Sequence, residues 1–504
     1  MNALRSHGAG MPLGQLLDGV SGPVTEVRLH GLAADSRRMR PGWAFAACAG
    51  ERYHGLAFLD QALAAGAATV LWEPDNGFDA DAAHLACEQA GIPLVAVPDL
   101  RRQLGSLAAR AFADPSREAL QVHGVTGTDG KTSVSQFLAQ ALTAGGESCG
   151  IIGTLGTGPI DALRAGTHTT PDAASMQEYL AAFRDQGLRH SSVEVSSHGL
   201  VQGRVNAVRF RTAILTNLGR DHLDYHGTVR AYGDAKRLLF RTPGLRAAVI
   251  NLDDAFGRSV RRDIAPDVRA VGYAMHSEAE ADVTCMRFEP DAGGFRMDAI
   301  TPTGLVSAEL PLLGRFNAQN ALAVVATLVA LGWDAARIGP ALRGLAPVPG
   351  RMEPFAAPGR PLVVVDYAHT AGALAAALAS LAEHCRGRIW CVFGCGGERD
   401  RGKRPLMAAA AEATAHRVIL ADDNPRSEDP DAIISDIQAG FRGGPQPVVR
   451  DRRAAILRAL SEASPDDVVL VAGKGHEDYQ LDASGRHDYS DRVTVAGLLR
   501  EGAE

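Results

Sequence analysis

The stretch that most constrains the fold is His-Gly-Val-Thr-Gly-Thr-Asp-Gly-Lys-Thr at residues 123–132. It follows a short, partly apolar run at residues 119–122 and opens a segment, residues 133–143, whose apolar side chains repeat with helical spacing. A strand, a glycine-rich turn and a helix N-terminus in that order form an anion cradle, because backbone N–H groups point inward and the helix dipole adds positive potential. Lys131 can then reach the terminal phosphates, and the Thr132 hydroxyl can bind Mg²⁺. A glycine turn without a ligand is the alternative, but Gly-Lys-Thr at a helix start favours a nucleoside triphosphate site.

Length, charge and cysteine content narrow the class of protein. A chain of 504 residues is long enough for roughly two to four domains. The hydrophobic content of 46% and charged content of 22% are those of a soluble globular protein, and the net charge of -7 argues against a nucleic-acid partner. The seven cysteines are scattered, so no disulfide framework is expected. Residues 1–10 lack a signal-peptide core and residues 321–331 are too short to cross a bilayer, so we expect a cytoplasmic enzyme without membrane insertion.

Short apolar runs alternate with helical patterns along the chain, which is typical of doubly wound parallel sheets. Turn chemistry at residues 114–116 and 347–350 indicates domain boundaries there. We therefore predict an α/β chain with three domains, residues 1–113, 114–346 and 347–504. The predicted strands are residues 43–48, 68–72, 94–97, 192–195, 212–216, 247–251, 362–365, 389–393, 418–421 and 468–471, with two less regular strands within residues 281–310.

Reactive side chains follow two predicted strands of the middle region, at the place where open α/β sheets bind ligands. Glu194 ends one strand, and a carboxylate there is costly unless it pairs with a cation or binds a metal. Both readings are open, and the nearby phosphate loop favours Mg²⁺. The next strand leads into residues 216–227, where two His, two Asp, an Arg and a Tyr predict a metal site or an acid–base cluster. Lys236 has the position of an ordinary exposed lysine on a helix.

Polar, glycine-rich turns follow four predicted strands in the last third of the chain, at residues 366–370, 394–400, 423–426 and 473–477. Each could be a turn with solvated charges. Their recurrence after successive strands instead predicts one shared rim. An arginine on such a rim suits a carboxylate, and a neighbouring carboxylate suits an amine. Together they describe an amino-acid pocket.

These motifs resemble the Mur ligases, and among them the UDP-N-acetylmuramoyl-tripeptide synthetases, over nearly the whole chain. The resemblance is carried by Asp-Ser-Arg at 35–37, Thr-Gly-Thr-Asp-Gly-Lys-Thr at 126–132, Thr-Thr-Pro at 169–171, Glu-Val-Ser-Ser-His-Gly-Leu at 194–200, the cluster at 220–227, Leu-Gly-Arg-Phe-Asn at 313–317, Pro-Gly-Arg-Met-Glu at 349–353, Asp-Tyr-Ala-His-Thr at 366–370, and the strings at 393–407 and 473–477.

The resemblance implies a fold and a reaction. The fold is a central P-loop-type, mainly parallel sheet flanked by an N-terminal α/β domain that binds a UDP-sugar and a C-terminal Rossmann-like domain that binds an amino acid. ATP phosphorylates the terminal carboxylate of UDP-N-acetylmuramoyl-L-alanyl-D-glutamate, and the amine of a third amino acid attacks the acyl phosphate. Such a ligase serves peptidoglycan synthesis, and with it cell shape and division. We expect a monomer with small-molecule substrates and two Mg²⁺ ions.

The resemblance also assigns roles to single residues. Lys131, Glu194, His222 and Lys236 are implied catalytic residues. Thr132, Glu194, His222 and Lys236 resemble the Mg²⁺ ligands, with Lys236 carried as N6-carboxylysine, which reverses the expectation of an exposed lysine. The implied ATP contacts are Gly124, Thr126, Gly127, Thr128, Asp129, Gly130, Lys131, Thr132, Asn320, Arg351 and Asp366. The implied contacts of the UDP-sugar peptide are Ser36, Thr169, Thr170, Ser196, Gln202 and Arg204.

The third amino acid is implied by Asp-Asn-Pro-Arg at residues 423–426, which resembles the motif for meso-diaminopimelate. Arg426, helped by Arg399, is expected to bind the distal carboxylate. Glu477 and the Gly473 carbonyl are expected to bind the distal ammonium. Lysine lacks that carboxylate and would leave a buried arginine unpaired, which costs about 1–3 kcal/mol or more. The implied contacts are Arg399, Asp423, Asn424, Pro425, Arg426, Gly473 and Glu477.

A few positions depart from the family pattern. Val125 stands where the strict Walker spacing has Gly, Asp129 and His168 stand where the family has Asn, Ala371-Gly372 replaces Pro-Asp, and Glu398 replaces Asp. The alternatives are another ligase of the superfamily, such as a folylpolyglutamate synthetase or a lysine-adding enzyme, and a nucleotide-dependent switch without ligase chemistry. The motif at residues 423–426 disfavours the first, and a switch leaves the amino-acid rim and Lys236 unexplained.

Overall fold

The computed structural model describes residues 10–17, 27–50, 53–74, 79–117, 119–166, 168–276 and 280–501. The sequence predicted that residues 1–10 lack a signal-peptide core. Of these, residues 1–9 lie outside the described residues. The chain divides into two compact units. The first unit comprises Met1–Tyr273, Ala279–Asp282 and Ala323–Trp333, and the second comprises Ala274–Glu278, Val283–Leu322 and Asp334–Glu504. The predicted domain boundaries at residues 113/114 and 346/347 stay predictions.

The N-terminal part of the first unit is a small α/β layer. Its parallel sheet has the order β3-β4-β5-β6, and Ala46, Leu71 and Val95 lie in register on one buried face. A short 3-10 turn, Ser36–Arg38, is capped by the side chain of Asp35. The elements are β1 Met11–Pro12, α1 Leu13–Leu16, β2 Arg28–Leu29, β3 Leu32–Ala33, β4 Ala44–Ala47, α2 Leu59–Ala64, β5 Thr69–Trp72, α3 Asp81–Ala90, β6 Leu94–Ala96 and α4 Leu100–Ala111.

The larger sheet of the first unit has the order β9-β8-β10-β7-β11-β12-β13. All of these strands are parallel except β9, which is antiparallel to β8. The elements are β7 Gln121–Thr126, α5 Lys131–Ala144, β8 Cys149–Gly153, β9 Gly156–Pro159, α6 Ala173–Asp185, β10 His190–Glu194, α7 Ser197–Val201, β11 Phe210–Leu215, α8 Leu223–His226, α9 Val229–Arg237, β12 Ala247–Asn251, α10 Ala255–Arg262 and β13 Arg269–Ala274.

Strand β7 is longer than the apolar run that predicted it. The prediction began the glycine loop at residue 123, but the strand continues to Thr126 because it is paired on both sides, with β10 and β11. Gly124 therefore lies inside the strand, between Val193 and Ala213, and not in the loop. Because β7 is central, the ends of β8, β10 and β11 lie beside the loop that follows it.

The second unit begins with an antiparallel meander, where the sequence predicted two strands and the structure has three. The strands are joined by tight turns, and apolar residues alternate along the middle one, with Phe295, Met297 and Ala299 buried. The prediction was wrong in number because turns of only two residues, 292–293 and 302–303, separate these strands. The elements are β14 Val283–Asp291, β15 Gly294–Thr301, β16 Gly304–Leu310, α11 Arg315–Ala330, which crosses between the two units, and α12 Ala335–Leu342.

The remainder of the second unit is a five-stranded sheet of order β17-β18-β21-β19-β20 with helices on both faces. Successive residues of its buried strands enter opposite cores, as Val364 and Leu470 do on one face and Val363 and Val469 on the other. The elements are β17 Glu353–Phe355, β18 Leu362–Asp366, α13 Ala371–Ala382, β19 Ile389–Phe393, α14 Lys403–Glu412, β20 Arg417–Leu420, α15 Pro430–Gln438, α16 Arg452–Glu462, β21 Val468–Ala472, β22 Tyr479–Asp482, β23 Gly485–Asp488 and α17 Asp491–Glu501.

The predicted α/β class is confirmed, with three separate parallel or mainly parallel sheets along the chain. Each sheet carries its helices in the crossovers, as parallel strands require. Among the described helices, none is both long enough and apolar enough to cross a membrane.

Candidate active site

The phosphate loop joins β7 to α5 in the first unit. Thr126 ends the strand, residues 127–130 form the turn, and Lys131 and Thr132 are the first residues of the helix. The ammonium of Lys131 donates to the carbonyl oxygens of Gly127 at 2.8 Å and Thr128 at 2.7 Å. The predicted order of strand, glycine turn and helix is confirmed, and the lysine lies folded over its own loop.

Glu194, at the end of β10, lies directly beside Thr132. The Thr132 hydroxyl donates to Oε2 of Glu194 at 2.9 Å, and the carboxylate is 1% exposed. Thr154, just after β8, completes the arrangement: its N–H donates to Oε1 at 2.9 Å and its hydroxyl donates to Oε2 at 3.0 Å. The Glu194 carboxylate is therefore stabilised by hydrogen-bond donors of Thr132 and Thr154, and not by the buried cation that an ion pair would require.

Gly153 makes room for this carboxylate. A β-carbon built on Gly153 would lie 2.2 Å from Oε1 of Glu194. Only glycine allows strand β8 to pass so close to the side chain of its neighbour. The position of Glu194 therefore depends on two strands, β10 for its backbone and β8 for its space.

Lys236 is buried rather than exposed. It lies on α9, 1% exposed, and its ammonium donates to the Gly127 carbonyl at 2.8 Å and faces the ring of Tyr232, 4.1 Å from the centroid. Burial, reinforced by the charge of Lys131, holds the pKa of Lys236 well below its usual value. A lowered pKa favours the neutral, nucleophilic form of the amine more than an exposed lysine would.

His222 stands in a group of aromatic side chains after β11. Its ring is edge-on to His198 with 4.8 Å between centroids, and His198 also packs on Tyr225 at 4.2 Å. The Nε2 of His222 lies 3.4 Å from Asp221, and its side chain is 46% exposed. Burial, together with the charge of His222, lowers the pKa of His198. Among the residues that the structure describes, no group of three His, Cys, Asp or Glu side chains has a metal-holding arrangement.

A row of hydrogen bonds continues from Glu194 to the predicted UDP-sugar residues. The Thr154 hydroxyl bonds to that of Thr169 at 3.0 Å, and the Thr170 hydroxyl donates to the main-chain oxygen of Glu194 at 2.9 Å. The same Thr170 hydroxyl lies 3.1 Å from the Ser196 hydroxyl. The structure therefore brings these predicted residues together with the phosphate loop.

Gln202 and Arg204 extend the row to a cavity of about 290 Å³. Arg204 donates to the Thr170 carbonyl at 2.9 Å and to the Gln202 side chain at 2.9 Å. The departure at His168 lines this cavity too. Its polar lining has four arginines against two aspartates and consists of Asp35, Arg37, Arg38, Arg101, Thr157, His168, Asp172, Ser175, Tyr179, Gln202 and Arg204.

Ser36 is not among the residues that line the cavity, and neither are the predicted residues Thr169, Thr170 and Ser196. Its side chain is buried and its hydroxyl donates to Gln61 at 2.7 Å. The 3-10 turn that Ser36 begins carries Arg37 and Arg38 at the cavity, and Arg38 also pairs with Glu178 and donates to Tyr179 at 2.8 Å. In this structure Ser36 therefore shapes the turn, and the arginines line the space.

The predicted amino-acid rim lies in the second unit, where loops follow β19, β20 and β21. Arg426 has a positive φ of 55°, and its Nη1 donates to the Gly397 carbonyl at 2.6 Å. The backbone of Pro425 packs against Gly397 on the same side. Arg399 is exposed on the loop that also carries Gly397. The two arginines that were predicted to bind one carboxylate thus belong to adjoining loops.

The other half of this rim is built around Lys474, which is fully buried. Its ammonium lies 3.1 Å from Oδ1 of Asn424, 3.1 Å from Oε2 of Glu477 and 3.9 Å from Asp423. The Asn424 amide donates to Oε2 of Glu477 at 2.9 Å. Gly473 has φ +115°, and a β-carbon there would lie 2.7 Å from the Asp423 carboxylate. Four predicted residues, counting Gly473, therefore meet one unpredicted lysine.

The remaining predicted nucleotide contacts also lie in the second unit. Asn320 is buried and donates to Asn317 at 3.2 Å. Both oxygens of Asp366 accept backbone N–H groups, from Met352 at 2.7 Å and Ala368 at 2.8 Å. The Arg351 guanidinium lies 4.4 Å from the centroid of the Tyr367 ring. Asp366 thereby fixes the segment from which Arg351 projects.

Sequence reasoning missed Thr154, Tyr232 and Lys474. Thr154 follows β8, which was not predicted because its Cys-Gly-Ile-Ile-Gly sequence is short and glycine-rich. Tyr232 lies one helical turn before Lys236, so the i, i+4 spacing was a usable signal once the lysine was in question. Lys474 stood inside a motif already named, and its burial could not be read from the spacing.

Comparison with known protein families gives three matches in chain order. The Mur ligase family catalytic domain matches residues 28–112, the Mur ligase middle domain matches residues 125–328, and the Mur ligase glutamate ligase domain matches residues 350–475. The first range includes the cavity residues Arg37, Arg38 and Arg101, the second includes the phosphate loop, and the third includes the amino-acid rim as far as residue 475.

Two curated relatives carry the same name, UDP-N-acetylmuramoyl-L-alanyl-D-glutamate--2,6-diaminopimelate ligase. The protein of Alkalilimnicola ehrlichii is 54% identical over 473 residues, covering 94% of this chain and 95% of the relative. That of Ectopseudomonas mendocina is 48% identical over 495 residues, covering 97% and 98%. A solved structure of a ligase with that name has a TM-score of 0.71 at 34% identity, covering 98% of this chain and all of the other. A folylpolyglutamate synthase of Mycobacterium tuberculosis, 19% identical over 78% of this chain and 93% of its own, shares the fold with a TM-score of 0.60.

Proposed function

The chain belongs to the Mur ligase family, and we propose that it joins meso-2,6-diaminopimelate to UDP-N-acetylmuramoyl-L-alanyl-D-glutamate at the expense of ATP. Relatives with the corresponding ligase name span nearly the whole chain at 48–54% identity. The product is the UDP-N-acetylmuramoyl tripeptide of peptidoglycan precursor synthesis. The observation that carries the proposal is that Arg426 and Glu477 lie on one rim, where Asn424 contacts both.

That rim offers opposite charges to one end of an amino acid. Arg426 keeps Nε and Nη2 without partners among the described residues, so it can receive a carboxylate bidentately. Glu477 keeps Oε1 for an ammonium, because the bonds to Lys474 and Asn424 use Oε2. A carboxylate and an ammonium on one carbon are the distal group of diaminopimelate. Lysine has only the ammonium.

The chemistry at the phosphate loop follows from the substrates. A carboxylate oxygen of the D-glutamyl residue attacks the γ-phosphorus of ATP, the bond to the bridging oxygen breaks, and ADP leaves. The free amine of diaminopimelate then attacks the acyl carbon, phosphate leaves, and the amine proton is released. Lys131 would neutralise charge that builds on the phosphates, and the row from Glu194 to Arg204 would hold the acceptor carboxylate.

We infer that the loop also holds Mg²⁺. Thr132 and Glu194 are hard oxygen donors 2.9 Å apart, which suits this ion. His222 and a carbamylated Lys236 are the further proposed ligands, for two ions in all. When bound, the metal supplies positive charge next to the phosphate oxygens.

The buried amine of Lys236 supports its modification to N6-carboxylysine. Carbamylation requires a neutral amine, and burial with the charge of Lys131 favours that form. The added group turns a poorly solvated cation into an oxygen-donor anion. Activity is expected to fall when CO₂ is stripped from the buffers and to return with bicarbonate, while Lys236→Ala should be inactive under both conditions. A Lys236→Ala variant with full turnover would contradict the role.

The test of the function is amino-acid-dependent phosphate release with ATP and UDP-N-acetylmuramoyl-L-alanyl-D-glutamate. Release is expected with meso-diaminopimelate and not with L-lysine or L-glutamate. An Arg426→Leu variant should lose meso-diaminopimelate activity by at least about 100-fold, since a bidentate charge-assisted contact is removed. Activity with L-lysine alone would overturn the specificity, and ATP binding without product under any amino acid would favour a nucleotide switch.

The substrates also suggest where and how the enzyme works. ATP and a UDP-sugar are pools of the cytoplasm, so we propose that location. A monomer is proposed because each predicted substrate group is met by residues of one chain. Light scattering of the purified protein tests the monomer, and a concentration-independent dimer mass would contradict it.

A further inference from the structure

Lys474 is a buried charge that the reaction does not use directly. It is 0% exposed, and among the described residues its ammonium contacts side chains of the amino-acid rim and the ring of Tyr479, whose centroid is 5.4 Å away. A buried ammonium is expensive unless its hydrogen-bond partners are fixed. Such a group is retained where it sets a geometry that a neutral side chain could not.

We propose that Lys474 is a positioning residue that makes the site selective for an amino acid with a distal ammonium. It binds Oε2 of Glu477 and Oδ1 of Asn424 at the same time, each at 3.1 Å. Glu477 is thereby turned so that Oε1 alone is offered to the substrate. The inference rests on the proposed function, because it concerns how that site reads the far end of its amino acid.

The Asn424 amide is fixed in the same way. Its Oδ1 accepts from Lys474 and from the N–H of Leu481 at 3.0 Å, so its Nδ2 must be the atom that faces Glu477. Nδ2 donates to Oε2 of Glu477 at 2.9 Å. Oε2 therefore has two donors and is satisfied, and the carboxylate cannot rotate without breaking both contacts.

Charge balance leads to the same conclusion. Behind the rim, Arg452 and Asp491 are fully buried and neutralise each other. At the rim, Asp423 and Glu477 face one buried cation, Lys474, which leaves one negative charge in excess. Arg426, on the other side of Asn424, adds one positive charge. The empty site is neutral with its charges separated, and a zwitterionic group matches it.

Without Lys474, the two carboxylates would face each other with no buried cation between them. Glu477 would then be free to turn toward Arg426, because opposite charges attract strongly in a poorly solvated site. Arg426 would no longer be available to bind the substrate carboxylate, and Oε1 of Glu477 would no longer be held in one position. The loss of Arg426 weakens the binding of any amino acid at this site, and the loss of the fixed Glu477 oxygen removes the preference for a distal ammonium.

The test compares meso-diaminopimelate with 2-aminopimelate, which keeps the distal carboxylate and lacks the distal ammonium. The second compound is measured as a substrate or as an inhibitor of the meso-diaminopimelate reaction. In wild type, meso-diaminopimelate should be preferred at least about 30-fold, as expected for one charge-assisted contact. Lys474→Met should reduce that preference to less than about 3-fold, with KM for ATP and for the UDP-sugar peptide unchanged.

Coupling to Glu477 separates positioning from a general loss of structure. In a Glu477→Gln background, Lys474→Met should cost little further preference, because both changes remove the same contact. Arg458→Met, which breaks an exposed pair with Glu462, is the matched control and should match wild type. If Lys474→Met does not fold, Lys474→Gln is used, since it keeps an N–H donor and loses only the charge.

Two results overturn the inference. One is a Lys474 variant that keeps the preference for meso-diaminopimelate over 2-aminopimelate. The other is additivity, in which the losses of preference in the Lys474 and Glu477 variants sum in the double variant. Both can occur in an enzyme that uses meso-diaminopimelate normally. If wild type shows no meso-diaminopimelate activity at all, the proposed function fails instead. The two failures are therefore distinct.

Discussion

Asp129 shows how a single residue can depart from a family pattern without disturbing the site. Its backbone is tied down on both sides: its N–H donates to Asn217 at 3.0 Å, and its carbonyl accepts the Thr216 hydroxyl at 2.6 Å. Its side chain is exposed, and its carboxylate has no hydrogen-bond partner among the described residues. The loop therefore needs the backbone of this residue and not its carboxylate. What the carboxylate does is place a negative charge on the loop that is proposed to bind the phosphates of ATP.

Asp129→Asn is accordingly expected to lower KM for ATP by about 2–5-fold, because one repulsion in high dielectric is removed. The melting temperature should stay the same, since no hydrogen bond is lost. Initial rates at low and high salt provide the measurement, and the gain should shrink at high salt, where the charge is screened. Asp267→Asn, an exposed acid elsewhere in the same unit, should have no effect. A higher KM in the variant would mean that the carboxylate assists binding.

His476 makes the stability of the second unit depend on pH. Burial, with the charges of Arg351 and Arg492, lowers the pKa of His476 to about 4. The unfolded chain takes up a proton near pH 6.5 and the folded chain only near pH 4, so stability is lost as pH falls through that window.

For this histidine alone, the free energy of unfolding should drop by about 2 kcal/mol between pH 7 and pH 4.5. Urea unfolding of wild type and His476→Gln at both pH values measures it as the difference between their pH dependences. Comparing the two proteins removes the contribution of the acidic groups that both share. An identical pH dependence would show that His476 is protonated in the folded protein.

At the scale of elements, the site depends on how closely strands approach. Strand β8 places Gly153 against Glu194, and Gly473, directly after β21, lies against Asp423. In both places a carboxylate occupies the volume of a missing side chain. The two sites are therefore sensitive to glycine substitutions that leave every reactive group unchanged.

Gly153→Ala should lower kcat/KM by at least about 100-fold, because the new methyl group would displace Glu194 from Thr132 and Thr154. Gly497→Ala is the matched control, since its β-carbon meets nothing within 4 Å on helix α17. There the same change should stabilise the protein by about 0.5–1 kcal/mol. Steady-state kinetics and thermal unfolding of both variants decide the matter. Near-normal activity in Gly153→Ala would mean that Glu194 can relocate.

The buried pair of Arg452 and Asp491 joins three elements behind the amino-acid rim. Arg452 begins α16, Asp491 begins α17, and the guanidinium also donates to the Ala472 carbonyl at the end of β21 at 2.7 Å. Arg452→Met should destabilise the second unit by about 3–5 kcal/mol, since it leaves Asp491 buried without a partner. The double variant Arg452→Met, Asp491→Leu should recover much of that loss in denaturant unfolding. Equal losses would assign the effect to packing.

The sequence predicted elements well where a strand is continuous and apolar. Residues 247–251 and 389–393 have the predicted bounds, because each is a strand in which all five residues are buried. It failed at β8, β13 and β17 and at the β22–β23 hairpin, whose sequences are short, polar or rich in glycine. These strands exist because neighbouring strands pair with them, and pairing is not visible in a local pattern.

The same division applies to the site. Side chains with a distinctive local motif, such as Lys131 and Arg426, could be named from the sequence. The burial of a lysine could not be predicted from the local sequence. Lys236 illustrates this, because its helical position alone predicted an exposed side chain. Lys474 escaped notice for the same reason. Burial is a property of the packed molecule, and a single sequence without a fold does not report it.

At the scale of the whole molecule, the two units carry separate groups of predicted contacts. The phosphate loop and the cavity arginines belong to the first unit, and the amino-acid rim belongs to the second. A ligand stabilises the unit that binds it, by about 2.7 kcal/mol at one hundred times its Kd.

Meso-diaminopimelate alone should therefore slow amide hydrogen exchange in the loops at residues 394–400, 423–426 and 473–482. The phosphate loop at residues 127–132 should exchange as in the free protein. Exchange followed by mass spectrometry of peptides gives both in one experiment, and Arg426→Leu should abolish the protection. Protection of the phosphate loop without the rim would place the amino acid elsewhere.

The hydrogen-bonded row from Thr132 through Glu194, Thr154 and Thr170 to Arg204 has a practical consequence for inhibition. It lies within one compact unit, with Thr132 on α5 at one end and Arg204 in the turn after α7 at the other. A bisubstrate compound that tethers a phosphate mimic to a uridine-containing fragment would bind its second half at an effective concentration set by the tether. Weak fragments could then combine into a tight inhibitor without a contact to the amino-acid rim.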